Sequence, residues 1–167
     1  MVHSVELVFD DDTEASVRRL WADLVDAGIR GRPPAGRPHT TLMVAERIDA
    51  DVDASLATLL NRFPFPCRIG APLLFGGSKA VLARLLVPSA QLMEVHAAVH
   101  RLCLPYLHPG PMSNVMPGRW TPHVTMARHV DLDQVGRALR IAAQELAGSV
   151  VGLRRWDGND KLEYVIS

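Results

Sequence analysis

The run Pro-His-x-Thr occurs twice in this 167-residue chain, as Pro38-His39-Thr40-Thr41 and as Pro122-His123-Val124-Thr125, with the two histidines 84 positions apart. Around each copy the same order of elements can be read. Strand 2–9, helix 13–28, strand 39–45, helix 50–63 and strand 66–75 are followed by strand 79–87, helix 89–106, strand 122–130, helix 132–146 and strand 149–156. Corresponding elements are offset by about 76 to 84 positions, and such a period implies duplication of a β-α-β-α-β unit. The expected fold is therefore α+β: duplicated units forming two lobes, with antiparallel sheets around a central cleft and helices on the opposite sheet faces. The expected organisation is one two-lobed domain over 1–167, with pseudo-repeats 2–76 and 78–157 and a closing strand at 160–167.

Local patterns support this order. In the first helix Val17, Leu20, Trp21, Leu24 and Val25 recur at helical spacing. Asp10 to Asp12 suit its N-terminus and Gly28 its C-terminal stop. Gly76-Gly77-Ser78 suits a tight hairpin turn between the strands on either side. Asp131 with Gln134 three places on resembles a capping box for the helix that follows. Phe9 ends the first strand, and strand parity leaves it facing either the cleft or the core.

Eighteen Lys and Arg balance eighteen Asp and Glu, so no global positive field grips extended nucleic acid. Cys67 and Cys103 are too few for a disulfide framework and form no CxxC pair. No stretch reads as a membrane span or a secretory leader. A cytoplasmic, monomeric protein without membrane partners is expected, and no cofactor is called for.

Side chains alternate across a strand, so His39 and Thr41 share one face and His123 and Thr125 share another, while Leu42 and Met126 point to the core. A pseudo-two-fold arrangement aims both pairs into one cleft. Two facing imidazoles suit acid-base catalysis at phosphorus without a metal: one takes a proton from the attacking water, the other gives one to the leaving alkoxide. The threonine hydroxyls can donate to the non-bridging phosphate oxygens.

These features resemble the 2H (two-histidine) phosphoesterase superfamily, whose LigT-like members are called 2′-5′ RNA ligases and RNA 2′,3′-cyclic phosphodiesterases. The likeness rests on the two His-x-Thr motifs, on the internal duplication, and on His123-Val124-Thr125-Met126-Ala127-Arg128, which looks like the family's second motif with its trailing arginine. It implies catalysis by His39 and His123, phosphate binding by Thr41 and Thr125, and a substrate contact from Arg128. The implied activity is hydrolysis of a 2′,3′-cyclic phosphate on an RNA end or nucleotide to a 2′-phosphate. A non-catalytic module that binds nucleotides or RNA ends in the same cleft is the alternative.

Arg128 lies five positions after His123, so it reaches the cleft only if the strand bulges, twists or ends there. Arg30, Arg32 and Arg37 precede the first motif and Arg119-Trp120 the second. Arg37 can therefore offer a guanidinium to phosphate and Trp120 a ring to a base. A solvated loop and a partly buried tryptophan account for them equally well. His96 and His100 have the i, i+4 spacing of metal ligands but no accompanying HExxH pattern, and read more simply as core or surface residues. His3, His108 and His129 are assigned no role.

Overall fold

The computed structural model describes all 167 residues. In chain order its elements are β1 (His3–Phe9), α1 (Asp11–Asp26), β2 (His39–Ala45), β3 (Arg47–Ile48), α2 (Val52–Ala57), β4 (Phe65–Gly76), β5 (Lys79–Leu86), α3 (Ala90–Cys103), β6 (Leu107–His108), β7 (His123–Asp131), α4 (Val135–Ile141), β8 (Leu146–Asp157) and β9 (Leu162–Val165). The fold is mixed α+β, built on a wholly antiparallel main sheet. No helix is long and apolar enough to cross a membrane.

Strand order in that sheet is β2-β1-β8-β4-β5-β7, with β9 pairing the far part of β8. The order reads symmetrically about the β8–β4 pair. The third strand of each half is exchanged: β8 lies beside β1, and β4 beside β5. Hydrogen bonding thus joins both halves into a single sheet. Its terminal strands, β2 and β7, also lie against each other, so the sheet curls until its two ends meet. Buried side chains of α1 (Val17, Leu20, Leu24) and α3 (Leu92, Val95, Val99) join Leu42, Met126 and Leu153 from the strands in one core. Phe9 belongs to this core.

The loops before the two motif strands seal the ends of the sheet. Residues 29–33 run along β7, where Arg32 and Arg128 exchange N–H···O bonds of 2.7 and 2.8 Å. In the other half, Met112 N–H donates to the Val44 carbonyl at 2.9 Å, and β6 pairs with β3. Both ends of the sheet thereby gain partners for backbone groups that would otherwise face solvent.

Helix α1 starts as its sequence signals require. Asp10 accepts the Thr13 N–H at 2.7 Å, and Gly28, at φ +69°, ends the helix with backbone bonds back to Val25 and, from Ile29, to Leu24. Three expectations need correction. The second helix stops at Ala57 and continues only as a 3₁₀ turn, Leu60–Arg62. The fourth helix ends at Ile141 rather than near 146 because Leu146 pairs with Ile69 of β4, and the ladder claims residues whose helix propensity is adequate. No capping box forms at Asp131. The Gln134 amide instead accepts the Arg30 N–H at 2.6 Å and donates to the Gly28 carbonyl at 3.2 Å, tying the end of α1 to the start of α4.

Candidate functional site

His39 and His123 open the two strands that meet at the ends of the sheet, and each follows a proline. The Nδ1–H of His39 donates to the Arg37 carbonyl at 2.8 Å, and that of His123 to the Thr121 carbonyl at 2.7 Å. A carbonyl can only accept, so Nδ1 carries the proton in both rings and Nε2 is the nitrogen outside these bonds. The same two-residue step back across Pro38 and Pro122 fixes both tautomers. Thr41 and Thr125 share the faces of their histidines and are half-buried, while Thr40, Leu42, Val124 and Met126 are buried behind them.

Both strands bulge at the residue after the motif threonine. Glu6 lies opposite Thr41 and Val5 opposite Met43, leaving Leu42 extra; Ala83 lies opposite Thr125 and Leu82 opposite Ala127, leaving Met126 extra. A bulge shifts the alternation of side chains. Leu42 and Met43 are consequently buried in succession, as are Met126 and Ala127, and Arg128 returns to the side of His123. Its charge is close enough to disfavour protonation of His123. The bulge is the device by which the five-residue offset is accommodated.

Each motif threonine has its carbonyl held by a tryptophan from the other half of the chain. Trp120 Nε1–H donates to Thr41 O at 2.9 Å and Trp21 Nε1–H, from α1, to Thr125 O at 3.0 Å. Trp120 also stacks on His96, with ring centroids 3.9 Å apart and planes 2° from parallel. One ring face is therefore covered. His96 is itself buried and donates Nε2–H to the Val115 carbonyl at 2.9 Å, and burial lowers its pKa. Both tryptophans are legible as apolar positions, but nothing local announces which carbonyl they hold. Replacing either by phenylalanine leaves a partly buried carbonyl without its donor. Each variant is expected to lose about 1–3 kcal/mol of stability in urea titrations. Pairing these titrations with kcat/KM measurements separates loss of stability from displacement of the threonine; unchanged stability in both variants would show that the indole bonds hold nothing.

The surroundings of the two imidazoles differ. Glu6, buried on β1, places Oε1 3.6 Å from His39 Nε2 and accepts the Ser4 hydroxyl at 2.6 Å. Arg154 of β8, also buried, donates Nε–H to Glu6 Oε2 at 2.7 Å and sets Nη2 2.6 Å from the same oxygen. Arg154 also pairs with Glu163 of β9. Arg154 Nη2 is 3.3 Å from His39 Nδ1, a contact between two donors; the shorter bond to the Arg37 carbonyl decides the tautomer. This triad escapes a reading of the sequence because its members lie on three strands, with Glu6 and Arg154 148 positions apart.

In the other half the position matching Glu6 is Ala83, opposite Thr125, and the position matching Arg154 is Leu73, opposite Ala83. Leu85 lies opposite His123, and the Phe75 ring packs against the imidazole with centroids 4.7 Å apart. Burial in this apolar setting is the main reason that the His123 pKa lies below its ordinary value, with the charges of His39 and Arg128 acting in the same direction. The bond to the Thr121 carbonyl opposes the shift. One imidazole thus lies beside a carboxylate and the other against apolar side chains.

Arg37 is held by Glu14 of α1, Nε to Oε2 at 2.9 Å. Arg30 is paired with Asp131 and Asp133. Arg32 and Arg128 have no carboxylate partner. Cys67 and Cys103 are free thiols, each pushed up by burial to about 12. No three His, Cys, Asp or Glu side chains converge to hold a metal ion.

Among solved structures, the fold is similar to TT0787 of Thermus thermophilus, with TM-score 0.61 and 17% identity, covering 100% of this chain and 96% of that one. It is similar also to apo LigT of E. coli, with TM-score 0.62, 13% identity and coverage of 99% and 94%. For Usb1 of Kluyveromyces marxianus the values are TM-score 0.57, 11% identity and coverage of 99% and 97%. LigT has also been crystallised with 3′-AMP and Usb1 with uridine monophosphate. No curated protein matches the sequence significantly. A family profile described as the 2′-5′ RNA ligase superfamily matches residues 9–158, a span that contains both Pro-His-x-Thr strands. On that match the chain belongs to the 2′-5′ RNA ligase superfamily of two-histidine phosphoesterases.

Proposed function

We propose that this chain is a phosphodiesterase that opens a 2′,3′-cyclic phosphate on a nucleotide or RNA end, using two histidines and no metal. The observation that carries the proposal is the pair of imidazoles with both Nδ1 protons fixed on backbone carbonyls, so that Nε2 is the other nitrogen of each ring, with a motif threonine two residues on along the same strand face.

The unequal surroundings divide the roles. His123 is biased towards its neutral form, so its Nε2 takes the proton from water as the water oxygen forms a bond to phosphorus. A proton on His39 Nε2 faces the Glu6 carboxylate, and this Nε2–H is delivered to the ribose oxygen as its bond to phosphorus breaks. Thr41 and Thr125 donate to the non-bridging oxygens, where charge gathers in the transition state. After product leaves, proton exchange with solvent restores both rings. Departure of the 3′-oxygen yields a 2′-phosphate. The nucleotide complexes of LigT and Usb1 support a nucleotide ligand for this cleft.

The test is incubation of nucleoside 2′,3′-cyclic monophosphates and a short RNA ending in a cyclic phosphate with the protein in EDTA. Turnover to one phosphomonoester isomer is expected, and the isomer identifies the leaving oxygen. Tight binding without turnover would replace this reading with that of a nucleotide-binding module.

A further inference from the structure

Arg32 and Arg128 face each other as a hydrogen-bonded antiparallel pair, each N–H donating to the other's carbonyl. Directly opposed residues in such a pair put their side chains on the same face, about 5.5 Å apart at Cα. Like charges in this position repel. The neighbouring arginines of the loop sharpen the contrast: Arg30 and Arg37 both have carboxylate partners, whereas Arg32 and Arg128 are exposed and have none.

The approach is also built into the chain. A Cβ on Gly31 would lie 3.1 Å from the Arg128 carbonyl oxygen and 3.2 Å from a Val130 methyl, so glycine lets the loop seat against β7. The bulge at Met126 turns Arg128 to the side of β7 that carries His123, near enough for its charge to act on that ring, and the pairing brings Arg32 to the same side.

We propose that Arg32 and Arg128 together form a second phosphate subsite, which takes the phosphate on the 5′ side of the nucleoside whose cyclic phosphate lies between the histidines. Two guanidinium groups on one face present planar donor edges suited to phosphate oxygens, and an anion between them relieves their repulsion. The phosphate can be the internucleotide diester of an RNA end or the 5′-monoester of a small nucleotide. The proposal rests on the phosphodiesterase reading for its substrate orientation.

Binding separates it from turnover. Calorimetry on the full chain should compare adenosine 3′-monophosphate with adenosine 3′,5′-bisphosphate and with a diadenylate carrying a 3′-phosphate. At least one of the two-phosphate ligands is expected to bind about 10-fold more tightly than the monophosphate, with the advantage falling as salt is raised. The tighter of the two identifies the source of the second phosphate. Arg32→Gln is expected to reduce the advantage to less than about threefold, and Gly31→Ala, which keeps both guanidinium groups but crowds the loop against β7, to reduce it as well. Equal affinities in the wild type, or an advantage that survives Arg32→Gln, would overturn the subsite. A preserved advantage in the wild type with no turnover of any cyclic phosphate would instead overturn the catalytic reading and leave the subsite standing.

Discussion

Replacing His39 or His123 by alanine is expected to lower kcat/KM for a cyclic phosphate by on the order of 10²-fold to 10⁴-fold, and the two variants should differ in which limb of the pH profile they lose. In the wild type the base must be neutral. Because burial, His39 and Arg128 all lower the His123 pKa, activity should rise with pH through a value below the ordinary histidine value of about 6.5. It should fall again where the acid loses its proton. Residual activity of His123→Ala should lack the acidic limb, and that of His39→Ala the alkaline one. The acidic limb of His39→Ala should also move up towards the ordinary value, since one repelling charge is gone, but not reach it, since burial is the larger cause. Rates measured across pH for the three proteins decide this. Loss of the acidic limb in His39→Ala would reverse the two roles, and an active double variant would end the two-histidine mechanism.

Arg154→Met should produce the largest loss of stability. Glu6 and Arg154 are each about 5% exposed at the side chain, and the guanidinium is the one permanent cation paired with that carboxylate. Removing one partner of a buried pair leaves the other uncompensated, which typically costs about 3–5 kcal/mol. For a chain of this size the melting temperature should fall by on the order of 10 °C. Glu6→Leu combined with Arg154→Met removes both charges and should recover much of the loss, because no buried carboxylate then lacks its cation. Urea titrations of the wild type, Arg154→Met and the double variant test this. A loss below about 1 kcal/mol for Arg154→Met would show that solvent reaches Glu6 and that the triad does not hold the surroundings of His39 in place.

Both expectations depend on a break in symmetry that repeated motifs conceal. The two Pro-His-x-Thr runs are nearly interchangeable on paper. In the fold, one histidine has Glu6 beside it and Arg154 behind it, while the matching positions in the other half hold Ala83 and Leu73. Duplicated strands supply two imidazoles; unequal neighbours give them unequal surroundings, and the apolar one lowers the His123 pKa.

Much of the fold could be read from local periodicity. Strand alternation puts His39 with Thr41 and His123 with Thr125, helical spacing marks the buried faces of α1 and α3, and Gly76-Gly77 lies in the turn joining β4 to β5. These patterns repeat every two to four residues and carry their meaning within a few positions. The early ends of α2 and α4 were not legible, and for α4 the reason is that Leu146 enters a ladder with a strand far away in sequence.

What only tertiary structure decided is every relation across long separations. The exchange of β4 and β8 between halves, the indole bonds from Trp21 to Thr125 and from Trp120 to Thr41, the Glu6–Arg154–Glu163 triad and the Arg32–Arg128 pair all join residues from distant elements. Residue types and local spacing determine which groups stand on each strand face. Curling of the sheet, which brings β2 against β7, determines which of those groups meet, and the loops before the two motif strands pair with backbone groups that its end strands would otherwise leave free.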